Sequence, residues 1–240
     1  MDGIVYTIYR FIIATLLLTW MACELPYKLH NQKSDRPFIW FTFASNWSFI
    51  ISTLTVLAFA VFVLYYSLER TMVMSILKIL GKDQRIHGNK ILWFFFNMSI
   101  NTTLVTSVAY WVAFWDPEYV EFYRLSAKLK HTVPAILVLL DLGFSNIPVR
   151  LLHGIYPLCL GVIYALFTYI YWVSNYAGYT GNGVIYPAIN WNRPEIAVLA
   201  CLLAVCLCFL VQVITRCHFD SSYTISINLV KCTRGALGSR

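Results

Sequence analysis

The chain has 240 residues, of which 59% are hydrophobic and 12% are charged. Soluble domains are usually about 45–50% apolar and about 25% charged, so this composition excludes an ordinary water-soluble domain and indicates that lipid is the solvent for much of the surface. The formal net charge of +7 does not indicate a nucleic-acid partner, because the basic residues lie between apolar segments and no nucleic-acid-binding motif is present.

The apolar content, taken in windows of about 19 residues, predicts six membrane-spanning helices. In chain order they run roughly over 5–23, 38–66, 91–115, 129–144, 151–173 and 196–214. The predicted fold is therefore all-α: a six-span transmembrane helical bundle that occupies 1–240 as one membrane domain and ends in a cytoplasmic tail, 215–240. A cleaved signal peptide is not expected, because a secretory signal has a basic start and this chain has no Lys or Arg before Arg10.

The fourth span is the weakest of the six, because Pro134, Asp141 and Gly143 interrupt it. Besides a full crossing, a short or re-entrant helix that lines a cavity stays open as an alternative. Asp141 is expected to pair with Arg150 or His153 at the cytoplasmic end, or to be protonated. The turn that carries Arg150 and His153 is interpreted as a tight, basic connection in preference to a ligand site.

The distribution of Lys and Arg predicts the orientation of the chain. Six spans bring both termini to one side, whose basic residues are ten: Arg70, Lys78, Lys82, Arg85, Lys90, Arg150, Arg216, Lys231, Arg234 and Arg240. The opposite side has seven: Lys28, Lys33, Arg36, Arg124, Lys128, Lys130 and Arg193. Because cytoplasmic loops carry the excess of Lys and Arg, both termini are predicted to be cytoplasmic.

Two of the connections between spans have a character of their own. The stretch from Glu69 to Asn89 interleaves apolar residues with Lys78 and Lys82, which is typical of a short amphipathic helix at the cytoplasmic interface. The stretch from Ser174 to Asn192 is uncharged and rich in Gly, Asn and Tyr. This loop is predicted to be exoplasmic, either folded over the mouth of a pocket or simply exposed.

The second span contains a run of polar residues, Ser45-Asn46-Trp47-Ser48, about seven residues after its predicted start. At about 1.5 Å per residue, Ser45 is expected roughly 10 Å below the exoplasmic entry. Hydroxyl and amide groups in membrane helices often bond to neighbouring helices. The same run also offers a hydroxyl nucleophile, with Thr42 one turn earlier as a second candidate.

His131 opens the fourth span and is expected at a similar depth in the outer leaflet. An imidazole is the usual general base, and a serine or threonine hydroxyl becomes a good nucleophile when such a base accepts its proton. Capping of the helix, or a place among the headgroups, is the structural alternative for His131. Asp141 lies ten residues further, roughly 15 Å along the helix, which is too far for the acid of a Ser-His-Asp triad.

The remaining polar features indicate structure. The polar residues of the third span are expected to bond between helices; they are Asn97, Ser99, Asn101, Thr102 and Thr103. The chain lacks a glycine-rich phosphate loop, a G-x-S-x-G elbow, H-E-x-x-H and C-x-x-C, so neither a metal nor another cofactor is expected. Cys217 is interpreted as an ordinary juxtamembrane thiol, with palmitoylation as the alternative.

Four stretches carry a family resemblance: FASNWSF; LPYKLHNQKSDRPFIWFTFASNW; KHTVPAILVLLDLGFSNIPVRLLHGIYPLCLGVIYALFTYIYW; and VIYPAINW. Together they resemble the rolling stone family of insects and other invertebrates. The resemblance covers roughly Arg36 to Trp191, and its most specific part runs from His131 to Trp172.

The resemblance implies a fold and a chemistry. The rolling stone family looks distantly similar to the androgen-induced-gene family of six-span membrane proteins, which hydrolyse fatty acid esters of hydroxy fatty acids with an intramembrane threonine and a histidine. By position, Ser45 falls where that threonine stands, and His131 falls on the histidine. The serine departs from the family pattern, so Thr42 is kept as the alternative counterpart.

Two functions follow as expectations. The first is a multi-pass membrane hydrolase of lipid esters, in which Ser45 or Thr42 attacks, His131 accepts the proton, and Asn46, Trp47 or Ser48 donates to the oxyanion. Its partners would be membrane lipid and an apolar ester that enters from the bilayer. The second is a non-catalytic membrane protein of myoblast or cell fusion, a role that the resemblance also implies. A transporter is less well supported, because the sequence shows no repeat.

Overall fold

The computed structural model describes residues 3–31, 37–73, 87–114, 123–144, 147–174 and 183–237. In these ranges all regular secondary structure is helical, which confirms the predicted all-α class. The α-helices are α1 (Gly3–Asn31), α2 (Ala44–Val73), α3 (His87–Ala109), α4 (Leu125–Phe144), α5 (Ile155–Val173) and α6 (Pro194–Leu237). Shorter helical turns are the 3₁₀ helix Pro37–Thr42, the π-helical turn Tyr110–Phe114 and the 3₁₀ turn Leu151–Gly154.

Five segments are long and apolar enough to cross a membrane: Val5–Tyr27, Ala44–Tyr65, Lys90–Val112, Leu151–Val173 and Pro194–Ser221. They correspond to the first, second, third, fifth and sixth predicted spans. The fourth predicted span forms a helix, α4, which is continuous through Pro134 but does not belong to this set. Its 20 residues are roughly 30 Å long, which is comparable with a hydrocarbon core of about 30 Å, but they include three charged side chains, Lys128, Lys130 and Asp141.

The chain folds into two compact units. The first comprises Met1–Ser99 and Thr168–Pro187, and the second comprises Ile100–Phe167 and Ala188–Arg240. Helices α3 and α5 each contribute residues to both units.

In the first unit, α1 and α2 form an antiparallel pair. The Trp20 ring packs edge-on against Phe49, with centroids 5.8 Å apart, and Arg10 lies against Phe59 further along both helices. The buried residues of α1 recur at helical spacing: Arg10, Ile13, Ala14 and Leu17. Six of the buried residues of α2 do the same: Phe49, Ser52, Thr53, Val56, Phe59 and Ala60.

Arg10 is wholly buried, although it belongs to an apolar segment. Its Nε and Nη2 atoms both donate to the Tyr6 hydroxyl, at 2.9 and 2.5 Å. Its guanidinium carbon lies 4.9 Å from the centre of the Tyr6 ring and 4.6 Å from that of Phe59. Charged side chains in membrane helices face the protein interior because lipid cannot solvate them. Arg10 therefore marks the inward face of α1.

The predicted start of the second span was wrong. A single helix from Phe38 was expected, but a 3₁₀ helix ends at Thr42 and α2 begins at Ala44. Ser45 is therefore the second residue of α2 instead of lying two turns inside it. The break is stabilised locally, because the backbone N–H groups of Asn46 and Trp47 donate to the Phe43 carbonyl, which becomes the first acceptor of the new helix.

Part of the loop after α5, residues 183–186, is buried. Val184, Ile185 and Tyr186 are all less than 9% exposed, and the Tyr186 ring packs edge-on against Phe43 with centroids 5.6 Å apart. Of the two expectations for this loop, the simply exposed one is wrong for these residues. The loop packs against the start of α2, the segment that carries Ser45.

The second unit is connected by a buried polar network on α6. The Asn101 side-chain N–H groups donate to the Cys208 carbonyl and to Gln212 Oε1, both at 3.0 Å. Gln212 Nε2 donates at 2.9 Å to the Arg150 carbonyl, and Arg216 donates at 2.9 Å to the carbonyl of Val149. The bonds of Asn101 bear out the expected bonding between helices. The turn before α5 is held through its backbone by α6.

Replacing Gln212 with leucine is expected to destabilise the protein by about 2–4 kcal/mol, because it removes an acceptor from Asn101 and the donor from the Arg150 carbonyl. The free energy of unfolding in mixed micelles measures the loss. Thr106→Ala is the matched control, since the Thr106 hydroxyl donates to the Thr102 and Thr103 carbonyls of its own helix and its loss should cost about 1 kcal/mol or less. Equal stability of Gln212→Leu and the native chain would contradict this role.

Two predicted segments are tested little or not at all by the fold. The amphipathic segment from Glu69 to Asn89 falls mostly on 74–86, outside the described residues. The predicted tail, 215–240, is helical up to Leu237, because α6 continues through it. The side of the membrane on which this tail lies stays a prediction.

Candidate functional site

Ser45 lies at the first turn of α2 and is partly buried. Among the described residues its hydroxyl has no hydrogen-bond partner. Its carbonyl accepts a hydrogen bond from the Ser48 hydroxyl at 3.0 Å. Ser45 thus offers a hydroxyl that makes no hydrogen bond to the described residues around it.

The Thr42 hydroxyl already donates a hydrogen bond. Its Oγ1 donates to the Ile39 carbonyl at 2.7 Å, and its side chain is buried. This bond closes the end of the 3₁₀ helix, so it is explained by structure alone. Attack by Thr42 would first require that this bond break.

The other polar groups of the run join α2 to the 3₁₀ helix before it. The Asn46 amide donates to the Trp40 carbonyl, and the Trp47 indole N–H donates to the Phe41 carbonyl at 2.6 Å. The Ser48 hydroxyl turns back to Ser45. An indole has one N–H and a hydroxyl has one O–H, whereas an amide has two N–H groups. Of the three predicted oxyanion donors, Asn46 therefore keeps a second N–H.

The Glu24 carboxylate is hydrogen-bonded to the 3₁₀ helix that precedes this run. Glu24, near the end of α1, accepts the Trp20 indole N–H at 3.1 Å and the Trp40 indole N–H at 3.2 Å. Trp40 is buried and bonds to Asn46 through its own carbonyl. Glu24 thus ties α1 to the segment that positions Ser45. Glu24 was not singled out from the sequence, although an acid close to Trp20 near the end of an apolar segment was the available signal.

An open, mostly apolar groove runs along the outer face of α1. Phe11, Leu16 and Trp20 line it, and Cys23 lies at one end. None of the predicted site residues lines this groove.

His131 lies in the first third of α4, within the second unit. Its ring stacks face to face on that of Tyr110, with centroids 4.1 Å apart and planes inclined by 7°. Its carbonyl accepts a hydrogen bond from the Ser107 hydroxyl. Tyr110 opens the π-helical turn and is buried. The structure thus holds both the ring and the backbone of His131. Neither Tyr110 nor Ser107 was singled out from the sequence.

Ser45 and Thr42 belong to the first unit and His131 belongs to the second. The pairing of a hydroxyl with the imidazole stays a prediction.

Comparison with known proteins gives one consistent result. The family model described as "Protein rolling stone" matches residues 2–235. The protein rolling stone of Drosophila melanogaster is 29% identical to this chain over 195 residues, which cover 80% of this chain and 68% of the fly protein. No solved structure matches the chain.

Proposed function

The chain belongs to the rolling stone family, and from this premise we propose that it is an intramembrane hydrolase of lipid esters. Fatty acid esters of hydroxy fatty acids are the substrate class we favour, because the resemblance noted in the sequence implies a distant relation to the androgen-induced-gene family. The proposed nucleophile is Ser45 and the proposed general base is His131.

The observation that carries the proposal is the Ser45 hydroxyl. Around it, the Thr42 and Ser48 hydroxyls and the Trp47 indole each donate to a backbone carbonyl. Ser45 donates to no described residue and is only partly buried. A nucleophile needs a hydroxyl that a base and a substrate can approach, and in this run only Ser45 meets that need.

The proposed reaction has two steps. The Ser45 Oγ atom attacks the ester carbonyl as His131 accepts the hydroxyl proton, and the alcohol leaves with that proton as the acyl-enzyme forms. Water then attacks the acyl-enzyme with His131 again as base, and the fatty acid is released. Each round consumes one ester and one water and yields one acid and one alcohol.

The proposed oxyanion donors are the backbone N–H of Ser45 and the second N–H of the Asn46 amide. Both belong to the first turn of α2, where helix N–H groups lack intrahelical acceptors and the helix dipole favours negative charge. Trp47 and Ser48 would instead keep this turn in shape through their bonds to backbone carbonyls.

The proposed topology has six crossings, which place both termini in the cytoplasm. The membrane would be the plasma membrane or an endomembrane. It depends on α4, because five crossings would put the termini on opposite sides. An apolar ester would reach the site sideways from lipid. Accessibility of epitope tags at the two ends in intact cells distinguishes the two topologies.

A fluorophosphonate probe tests the chemistry on membranes that contain the full-length chain. We expect labelling of the native protein and of Thr42→Val, and loss of labelling in Ser45→Ala and His131→Ala. Ser48→Ala is the matched control, because it removes a neighbouring hydroxyl that the mechanism does not use. Labelling that survives in Ser45→Ala, Thr42→Val and His131→Ala alike would refute the mechanism.

A second candidate is a non-catalytic membrane protein of cell fusion. The bonds of Asn46, Trp47 and Ser48 to backbone carbonyls favour it, because they give most of the polar run a structural role. It predicts that His131→Gln protein at normal surface level restores fusion in cells that lack the chain. Failure of this rescue, with normal folding, would count against it.

A further inference from the structure

The environment of His131 contains two contacts that the proposed chemistry does not itself require. Tyr110 covers one face of the imidazole, in a nearly parallel stack with centroids 4.1 Å apart. Ser107, one helical turn earlier, bonds to the backbone carbonyl of His131. Both residues are buried and belong to the same unit as His131.

The stack restricts the plane of the imidazole. The lone pair and the N–H of an imidazole lie in the ring plane, so proton transfer occurs at the ring edge. Turning the ring out of this plane would abandon the face-to-face contact, whereas a half-turn within the plane would keep it. Tyr110 therefore limits the directions in which the ring nitrogens can point.

The backbone contacts keep Tyr110 and His131 in register. Tyr110 is the first residue of a π-helical turn that follows α3 directly, and such turns often occur at functional sites. In α4, Pro134 lies three residues after His131 and removes one backbone hydrogen bond from that helix. The hydrogen bond from the Ser107 hydroxyl to the His131 carbonyl adds a contact between α3 and α4 at the residue that carries the stacked imidazole.

We propose that Tyr110 is a positioning residue, which orients the His131 imidazole for proton transfer through the stack of the two rings. The inference rests on the proposed function for its catalytic consequence. The orientation itself is a property of the second unit and can be measured without a substrate.

The first readout is NMR of the chain in nanodiscs with ¹³C-labelled histidine, in which the His131 signal is assigned from His131→Gln. The Tyr110 ring current should shift the His131 ring protons upfield. Tyr110→Leu should abolish this shift and Tyr110→Phe should retain it. Val112→Ala is the matched control in the same π-helical turn, because Val112 is 81% exposed.

The second readout is steady-state ester hydrolysis by the native chain, Tyr110→Leu, Tyr110→Phe and Val112→Ala. We expect Tyr110→Leu to lower kcat by about 10- to 100-fold, the scale of a small misplacement of a catalytic group. KM should stay within about threefold, because Tyr110 is not proposed to touch substrate. Tyr110→Phe should restore kcat to within about threefold, which a purely hydroxyl-based role would not allow.

The two readouts separate the failures. If the native chain hydrolyses none of the esters, the proposed function fails, and the NMR shift alone then decides whether Tyr110 orients His131. If hydrolysis is present and Tyr110→Leu keeps the native kcat, the positioning role is overturned even when the shift is lost. An unchanged shift in Tyr110→Leu overturns the orientation by stacking.

Discussion

Ser45→Ala is expected to lower the rate of ester hydrolysis by about 10³-fold or more, since loss of the nucleophile of a hydroxyl hydrolase removes the covalent route altogether. The reason lies in the surroundings of Ser45. The remaining hydroxyls of its run already donate to backbone carbonyls, so none is free to replace it. The measurement is release of free fatty acid by purified protein in nanodiscs, normalised to folded protein.

The matched controls separate catalysis from structure. Thr42→Val and Ser48→Ala each remove a hydroxyl that bonds locally, so each should change stability by about 1 kcal/mol and the rate only modestly. Ser45→Thr should retain part of the activity, since it keeps the hydroxyl. Native activity in Ser45→Ala together with an inactive but folded Thr42→Val would transfer the nucleophile to Thr42.

Arg10→Ala is expected to cost about 3 kcal/mol of folding free energy, roughly a 100-fold change in the folding equilibrium. Truncating a large buried side chain leaves a cavity. The change also removes cation–π contacts, which contribute about 0.5–2 kcal/mol, and both donors to the Tyr6 hydroxyl. Unfolding in mixed micelles, or steric trapping in bicelles, measures the loss.

Other substitutions at Arg10 separate its charge from its volume. Arg10→Met fills most of the space without the charge, and Arg10→Lys keeps the charge without the planar group that covers the rings. If packing dominates, Met should recover more stability than Lys. A double-mutant cycle with Phe59→Leu should give a coupling of about 1 kcal/mol.

Leu16→Ala is the matched control for α1, because Leu16 is 44% exposed on the outer face of the same helix. It should cost clearly less than Arg10→Ala. Equal stability of Arg10→Ala and the native chain would show that the guanidinium contacts contribute nothing to the pairing of α1 with α2.

The sequence determined the class of the molecule and the approximate position of its apolar helices along the chain. Apolar runs long enough to cross a membrane identify themselves by composition, because transfer into lipid depends on the residues of each segment alone. Five of the six predicted spans are helices of that kind. Ser45 and His131 were also singled out from the sequence, because polar groups in such segments are costly and therefore conspicuous.

Only the tertiary structure decided which polar groups are already hydrogen-bonded or stacked. Composition could not reveal that the Thr42 hydroxyl closes a 3₁₀ helix, that α2 begins at Ala44, or that Tyr110 stacks on His131. Each depends on partners or backbone turns that no local pattern specifies. Apolar residues that face lipid and those that face the protein interior are also alike in composition, since the two surroundings are equally apolar. The inward face of a membrane helix is therefore known only once its polar partners, such as those of Arg10, are seen in place.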